Sequence, residues 1–142
     1  MYARAPTQHF ITVSAQPRVL LCEHDPIMAW LLVEVFRDEG IEVTTCASLE
    51  EINAALREHP QAVVVSDPWS RSVRPDLSAD ERQAIVELAA RARLILTTTR
   101  RWALQSDGLS LGDGVTVIPK PFDLDELLRA VRHSPDRLQA SA

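Results

Sequence analysis

The chain has 142 residues, 20 acidic against 15 basic side chains, 46% hydrophobic residues and a formal net charge of −5. That length argues for one domain with a single core, and the composition excludes an intrinsically disordered chain. Without basic clusters the acidic balance argues against a nucleic-acid surface, and no apolar run reaches the roughly 18 residues of a membrane span.

The N-terminus lacks the basic-then-apolar pattern of a secretion signal. Cys22 and Cys46 are too few for a disulfide framework and lack metal-site spacing, so buried, inert thiols in a reducing cytoplasm are expected. Fourteen of the fifteen basic residues are arginine, and Lys120 is the lone lysine.

Residues 1–17 show no sustained period and read as a tail, with a short extended piece at Phe10-Ile11-Thr12-Val13. Val19 to Cys22 is a short apolar run, the pattern of a strand covered on both faces. Pro26 suits a helix start, Ile27 to Phe36 is apolar on nearly all sides, and Gly40 suits the position just past the helix end. Ile41 to Cys46 is a second, β-branched strand. Ser48-Leu49-Glu50-Glu51 reads as a capping box, followed by Leu49, Ile52 and Leu56 on one helical face. Ala62 to Ser66 is the third strand.

A polar segment from Asp67 to Leu77 interrupts the alternation. Ser78-Ala79-Asp80-Glu81 is a second capping box, opening a helix with Ile85, Leu88, Ala89 and Ala92 aligned. Leu94 to Thr97 is a fourth strand. Arg100 to Gln105 carries only a weak helical signal, and Val115 to Ile118 is a fifth strand. Asp123 caps a last helix with Leu124, Leu127, Leu128 and Val131 on one face, and 134–142 reads as a second tail.

Five strands alternating with helices imply parallel pairing through right-handed crossovers, hence an α/β, doubly wound open sheet in a domain spanning 18–133. Chemistry in such sheets collects beyond the carboxyl ends of the strands. Those ends deliver Glu23, His24 and Asp25, then Asp67, then Thr97 and Thr98, then Lys120. Carboxylates from two strands, a hydroxyl from a third and an ammonium from a fourth make a coherent site for phosphoryl chemistry. A carboxylate accepts the group while cations and donors stabilise its oxygens.

Three segments carry a resemblance to a known family: Lys120-Pro121-Phe122-Asp123-Leu124, Val63-Val64-Val65-Ser66-Asp67 and Leu94-Ile95-Leu96-Thr97. From about Arg18 to Arg132 the chain resembles the receiver domain of bacterial two-component response regulators. The resemblance implies a CheY-like, flavodoxin-like (βα)5 fold with strand order 2-1-3-4-5 and a cis Lys120–Pro121 bond. It implies Asp67 as phosphoacceptor, Thr97 as the phosphate-sensing hydroxyl and Lys120 as the phosphate-binding ammonium. Mg²⁺ would be held by Glu23, Asp67 and the backbone carbonyl of Trp69. The implied partners are a histidine kinase or phosphotransfer protein and a downstream protein target, with a homodimer left open; the implied role is signalling, not enzymatic.

The chain departs from the pattern in three places. His24 occupies the second acidic position of the family, where a direct Mg²⁺ ligand is expected; imidazole suits zinc, nickel or copper better, so Mg²⁺ binding is expected to weaken. Asp25 sits one position too late to replace it. Pro68-Trp69-Ser70-Arg71 replaces the usual apolar stretch after the phosphoacceptor, and Trp69 is read either as a partner-binding anchor or as folded over its own loop. Val117 stands where the family has its aromatic switch residue. Trp30 and Trp102 are read as packing residues.

Three readings remain open: a stand-alone receiver phosphorylated on Asp67, a degenerate receiver that binds partners without phosphorylation, and a small metal-dependent or flavodoxin-like enzyme. Separately, Glu23, His24 and Asp67 could offer three ligands to a transition metal, with a partly exposed loop histidine as the other reading of His24. No G-x-G-x-x-G or Walker pattern supports that enzyme. With the chain ending soon after the last helix, no DNA-binding output domain is expected.

Overall fold

A computed structural model describes residues 16–67, 75–100, 111 and 114–133. Its order is β1 (Val19–Cys22), α1 (Pro26–Asp38), β2 (Val43–Thr45), α2 (Leu49–Glu58), β3 (Val63–Ser66), α3 (Ala79–Ala89), β4 (Arg93–Thr98), β5 (Val115–Pro119) and α4 (Leu124–Arg132). The five strands form one parallel sheet in the order β2-β1-β3-β4-β5. The weak helical segment at 100–105 and the extended piece at 10–13 lie outside the described residues, apart from Arg100.

The sheet is covered on both faces, which is why β1 and β3 are buried at every position. Side chains alternate across each strand. One face sets Leu20, Val64, Leu94 and Leu96 against Ile52 and Leu56 of α2 and Ile85 and Leu88 of α3. The other sets Val19, Leu21, Val63, Val65, Ile95 and Ile118 against Leu32 and Phe36 of α1 and Leu127 and Val131 of α4. Both cysteines are buried and unpaired, as expected.

The helix ends follow the sequence signals closely, with informative differences. Asp25 is the N-cap of α1, its carboxylate accepting from the backbone N–H of Ile27 and Met28. Gly40 follows the end of that helix with φ 77°, the left-handed geometry that glycine adopts without strain. Ser78 and Glu81 close a reciprocal capping box on α3. The box expected at Ser48 is only half formed: Ser48 accepts from Glu51 N–H, but the Glu51 carboxylate accepts from Ala47 N–H, one residue before the cap. β2 is shorter than its β-branched run, because Ile41 is buried against the helices and only Val43 to Thr45 pair with β1.

The apolar run of α1 is not covered all round. Leu32 and Phe36 are buried, whereas Ile27, Trp30 and Leu31 are exposed, with Trp30 at 65%. Gln16 lies within the segment read as a tail, yet it donates to the carbonyl of Glu39 and accepts from Arg132, joining the ends of α1 and α4.

Candidate functional site

The strand order reverses between β1 and β3, so the crevice for chemistry lies beyond their carboxyl ends. Glu23 follows β1 and Asp67 follows β3 at that place. A period of two explains which side chains meet there. Glu23 lies two residues past Leu21, Asp67 two past Val65, Thr97 two past Ile95 and Lys120 two past Ile118. All four reference residues belong to the core between the sheet and helices α1 and α4. Four strand ends therefore present four polar side chains on one side of the sheet.

The contacts are ionic and close. The Lys120 ammonium donates to both Glu23 oxygens, at 2.9 and 3.1 Å, and to Oδ2 of Asp67 at 3.2 Å. Lys120 N–H donates to the carbonyl of Thr98, and the Lys120–Pro121 bond is cis. The Glu23 side chain is fully buried, and its Oε2 also accepts from Asp25 N–H. The imidazole Nδ1 of His24 pairs with Oδ2 of Asp67, while the His24 side chain stays 63% exposed.

Burial pushes the Asp67 carboxyl above the usual aspartate range. The Lys120 ammonium opposes that rise, the Glu23 charge adds to it, and His24 opposes it again. The same burial raises the Cys22 thiol beneath the site.

Thr97 stands beside Asp67, one step beyond the Ser66–Leu96 register pair. Its hydroxyl is buried and has no hydrogen-bond partner among the described residues. The neighbouring Thr98 contrasts with it: its Oγ1 accepts from Arg100 N–H. Trp69, expected to offer a carbonyl, lies outside the described residues.

The sequence thus marked the residues that converge but not their pairings. Lys120 was expected to meet a phosphate; the structure also gives it Glu23, a partner no local pattern can reveal. Asp25, weighed as a substitute for the lost acidic ligand, is instead consumed as a helix cap. Arg100 was missed altogether. It pairs with Glu81 and donates to the carbonyl of Asp76, tying the end of β4 to the start of α3.

As a Mg²⁺ site the cluster is deficient. Mg²⁺ takes oxygen ligands in a near-octahedral arrangement and keeps several waters. Here Glu23 and Asp67 supply oxygens, His24 supplies an imidazole, and the Lys120 ammonium already bridges the two carboxylates.

A five-stranded parallel sheet in this order is the doubly wound α/β arrangement of the CheY-like, flavodoxin-like fold. Solved structures share it. A response regulator receiver protein from Pseudomonas putida superposes with a TM-score of 0.62 at 24% identity, over 83% of this chain and 97% of that one. The non-phosphorylated HemR receiver domain from Leptospira biflexa matches at 0.58 and 25%, over 84% and 97%. A structure described as an adenylate cyclase from Rhodopirellula baltica matches at 0.63 and 17%, over 82% and 85%. At such identities the likeness is one of fold, and the fold is that of CheY-like receiver domains. No family model matches the sequence, and no curated protein does.

Proposed function

We propose that the protein is a receiver-like signalling protein that accepts a phosphoryl group on Asp67 and signals through protein contacts in the cytoplasm. The observation that carries this reading is the unpartnered Thr97 hydroxyl beside Asp67. A buried hydroxyl without a partner costs about 1–3 kcal/mol, and a phosphoryl oxygen on Asp67 offers it one. The Lys120 ammonium, already within 3.2 Å of Asp67, meets a second phosphoryl oxygen.

In the transfer, an Asp67 oxygen attacks phosphorus and the bond from phosphorus to the donor breaks. The donor, a phosphohistidine or an acyl phosphate, leaves with the electron pair of that bond. Lys120 and Thr97 stabilise charge on the phosphoryl oxygens without becoming covalently involved.

The donor protein would be a histidine kinase or a phosphotransfer protein. The exposed Ile27, Trp30 and Leu31 on α1, beginning three residues after His24, support docking beside the site. The downstream partner is a protein, a reading supported by the chain's net acidic charge.

A second reading draws on His24. Its imidazole pairs with the same Asp67 oxygen that Lys120 holds, so that oxygen already has two partners without phosphate. That favours a binding module working without phosphorylation. Incubation with acetyl phosphate and a divalent cation, followed by intact-mass measurement, separates the two. The first reading expects one phosphoryl adduct on the wild type and none on Asp67→Asn. The second expects no adduct on either.

A further inference from the structure

His24 departs from an oxygen-only site and changes which ion the crevice suits. Glu23, His24 and Asp67 each bring one ligand atom, and the three atoms lie within 4.8 Å of one another. Two carboxylate oxygens with one imidazole nitrogen are poorly matched to Mg²⁺ and well matched to borderline divalent ions. Three protein ligands with a position left for water is also the pattern of open zinc sites.

The geometry permits the closure. Metal bonds of about 2.0–2.2 Å place neighbouring ligand atoms roughly 3 Å apart. His24 and Asp67 are closer than that, so the imidazole must swing outward. It is the ligand free to do so, at 63% exposure, whereas the Glu23 side chain is fully buried and held by Asp25 N–H and Lys120. Two carboxylates against one ammonium leave the cluster with a net negative charge when His24 is neutral. Lys120 has to release part of its hold on Asp67, and Glu23 alone keeps both of its ammonium contacts available.

Thr97 supplies a second, independent observation. Its hydroxyl is buried, lies in register beside Asp67 on the same side of the sheet, and has no partner among the described residues. A water on the metal is a donor that this oxygen accepts from.

We propose that Glu23, His24 and Asp67 form a binding site for a borderline divalent transition-metal ion, with His24 setting the preference against Mg²⁺. This holds whether or not Asp67 accepts a phosphoryl group, so it is tested without any phosphodonor.

The experiment titrates metal-free protein with Zn²⁺ by calorimetry and with Co²⁺ by visible absorption, with Mg²⁺ in parallel. The expected result is one Zn²⁺ or Co²⁺ per chain, bound far more tightly than Mg²⁺. His24→Ala weakens Zn²⁺ and Co²⁺ by about 100-fold, at the upper end of effects seen when metal ligands lose support. His24→Asp narrows the preference, weakening Co²⁺ and strengthening Mg²⁺. Because His24 is largely exposed, both variants keep the fold, which circular dichroism checks. Binding of Co²⁺ that survives His24→Ala would assign the ion to other histidines and overturn the proposal. So would a wild type that binds Mg²⁺ as tightly as Zn²⁺, or binds neither.

Discussion

Lys120 and Glu23 are separated by 97 positions in the chain, yet the lysine ammonium lies 2.9 and 3.1 Å from the two oxygens of the glutamate. The pair links the ends of β1 and β5, two strands separated in the sheet by β3 and β4. It also fixes the ammonium where Asp67 completes its coordination.

Removing either partner should therefore be costly to different degrees. Lys120→Met leaves two buried carboxylates without their shared cation and is expected to destabilise the fold by about 3 kcal/mol near neutral pH. Glu23→Gln leaves Lys120 still paired with Asp67 and should cost about 1 kcal/mol. Urea denaturation of both variants and the double variant measures their coupling. Strictly additive effects would mean that the ion pair contributes nothing.

Adjacent threonines offer a sharper contrast. Thr97→Val replaces an unpartnered buried hydroxyl by a methyl group of similar shape, and should stabilise the protein by about 1 kcal/mol. Thr98→Val strips the acceptor from Arg100 N–H and should destabilise it by a similar amount, about 1 kcal/mol. Equal effects of the two substitutions on the thermal midpoint would contradict the assigned roles.

The burial of Asp67 makes a prediction about acid. Its folded carboxyl titrates above the unfolded value, so the folded state holds its proton more tightly. The stability this group contributes is present below the unfolded value and is lost as pH rises through the folded one. Asp67→Asn should then be more stable than wild type near neutral pH, with the advantage shrinking toward about pH 4. A variant no more stable than wild type at neutral pH would show that Lys120 and His24 outweigh burial.

Cys46 predicts the alkaline limb. Burial pushes its thiol from 9.0 to about 11, so between those values the folded state holds a proton that the unfolded state has lost. Stability falls as pH rises through that window, by at most about 3 kcal/mol. The Cys22 thiol, also raised by burial, acts in the same direction. Cys46→Ala should flatten the decline between about pH 9 and 11, as read by urea midpoints. An unchanged slope would place its cause elsewhere.

Much of this architecture was legible because it rests on short-range rules. Val63 to Ser66 announced a doubly covered strand, and Pro26, Ser78 and Asp123 announced helix starts. That Glu23, Asp67, Thr97 and Lys120 share one face follows from the period of two once the core around Leu21, Val65, Ile95 and Ile118 is seen. What the sequence did not disclose depends on distance or competition. The grip of Lys120 on Glu23 is a long-range pairing. The lost half of the Ser48 box reflects a choice by Glu51 between two neighbouring N–H groups, of which Ala47 wins. The exposure of Trp30 reflects which part of an apolar helix the sheet reaches.

The central claim is that Asp67, and no other group in the crevice, receives the phosphoryl group. Borohydride reduction of protein treated with acetyl phosphate, followed by peptide mapping, tests it directly, since an acyl phosphate is reduced where a free carboxylate is not. The account predicts that position 67 alone is recovered as homoserine. Reduction at Glu23 or Asp25, or none at any carboxylate of the wild type, would contradict it.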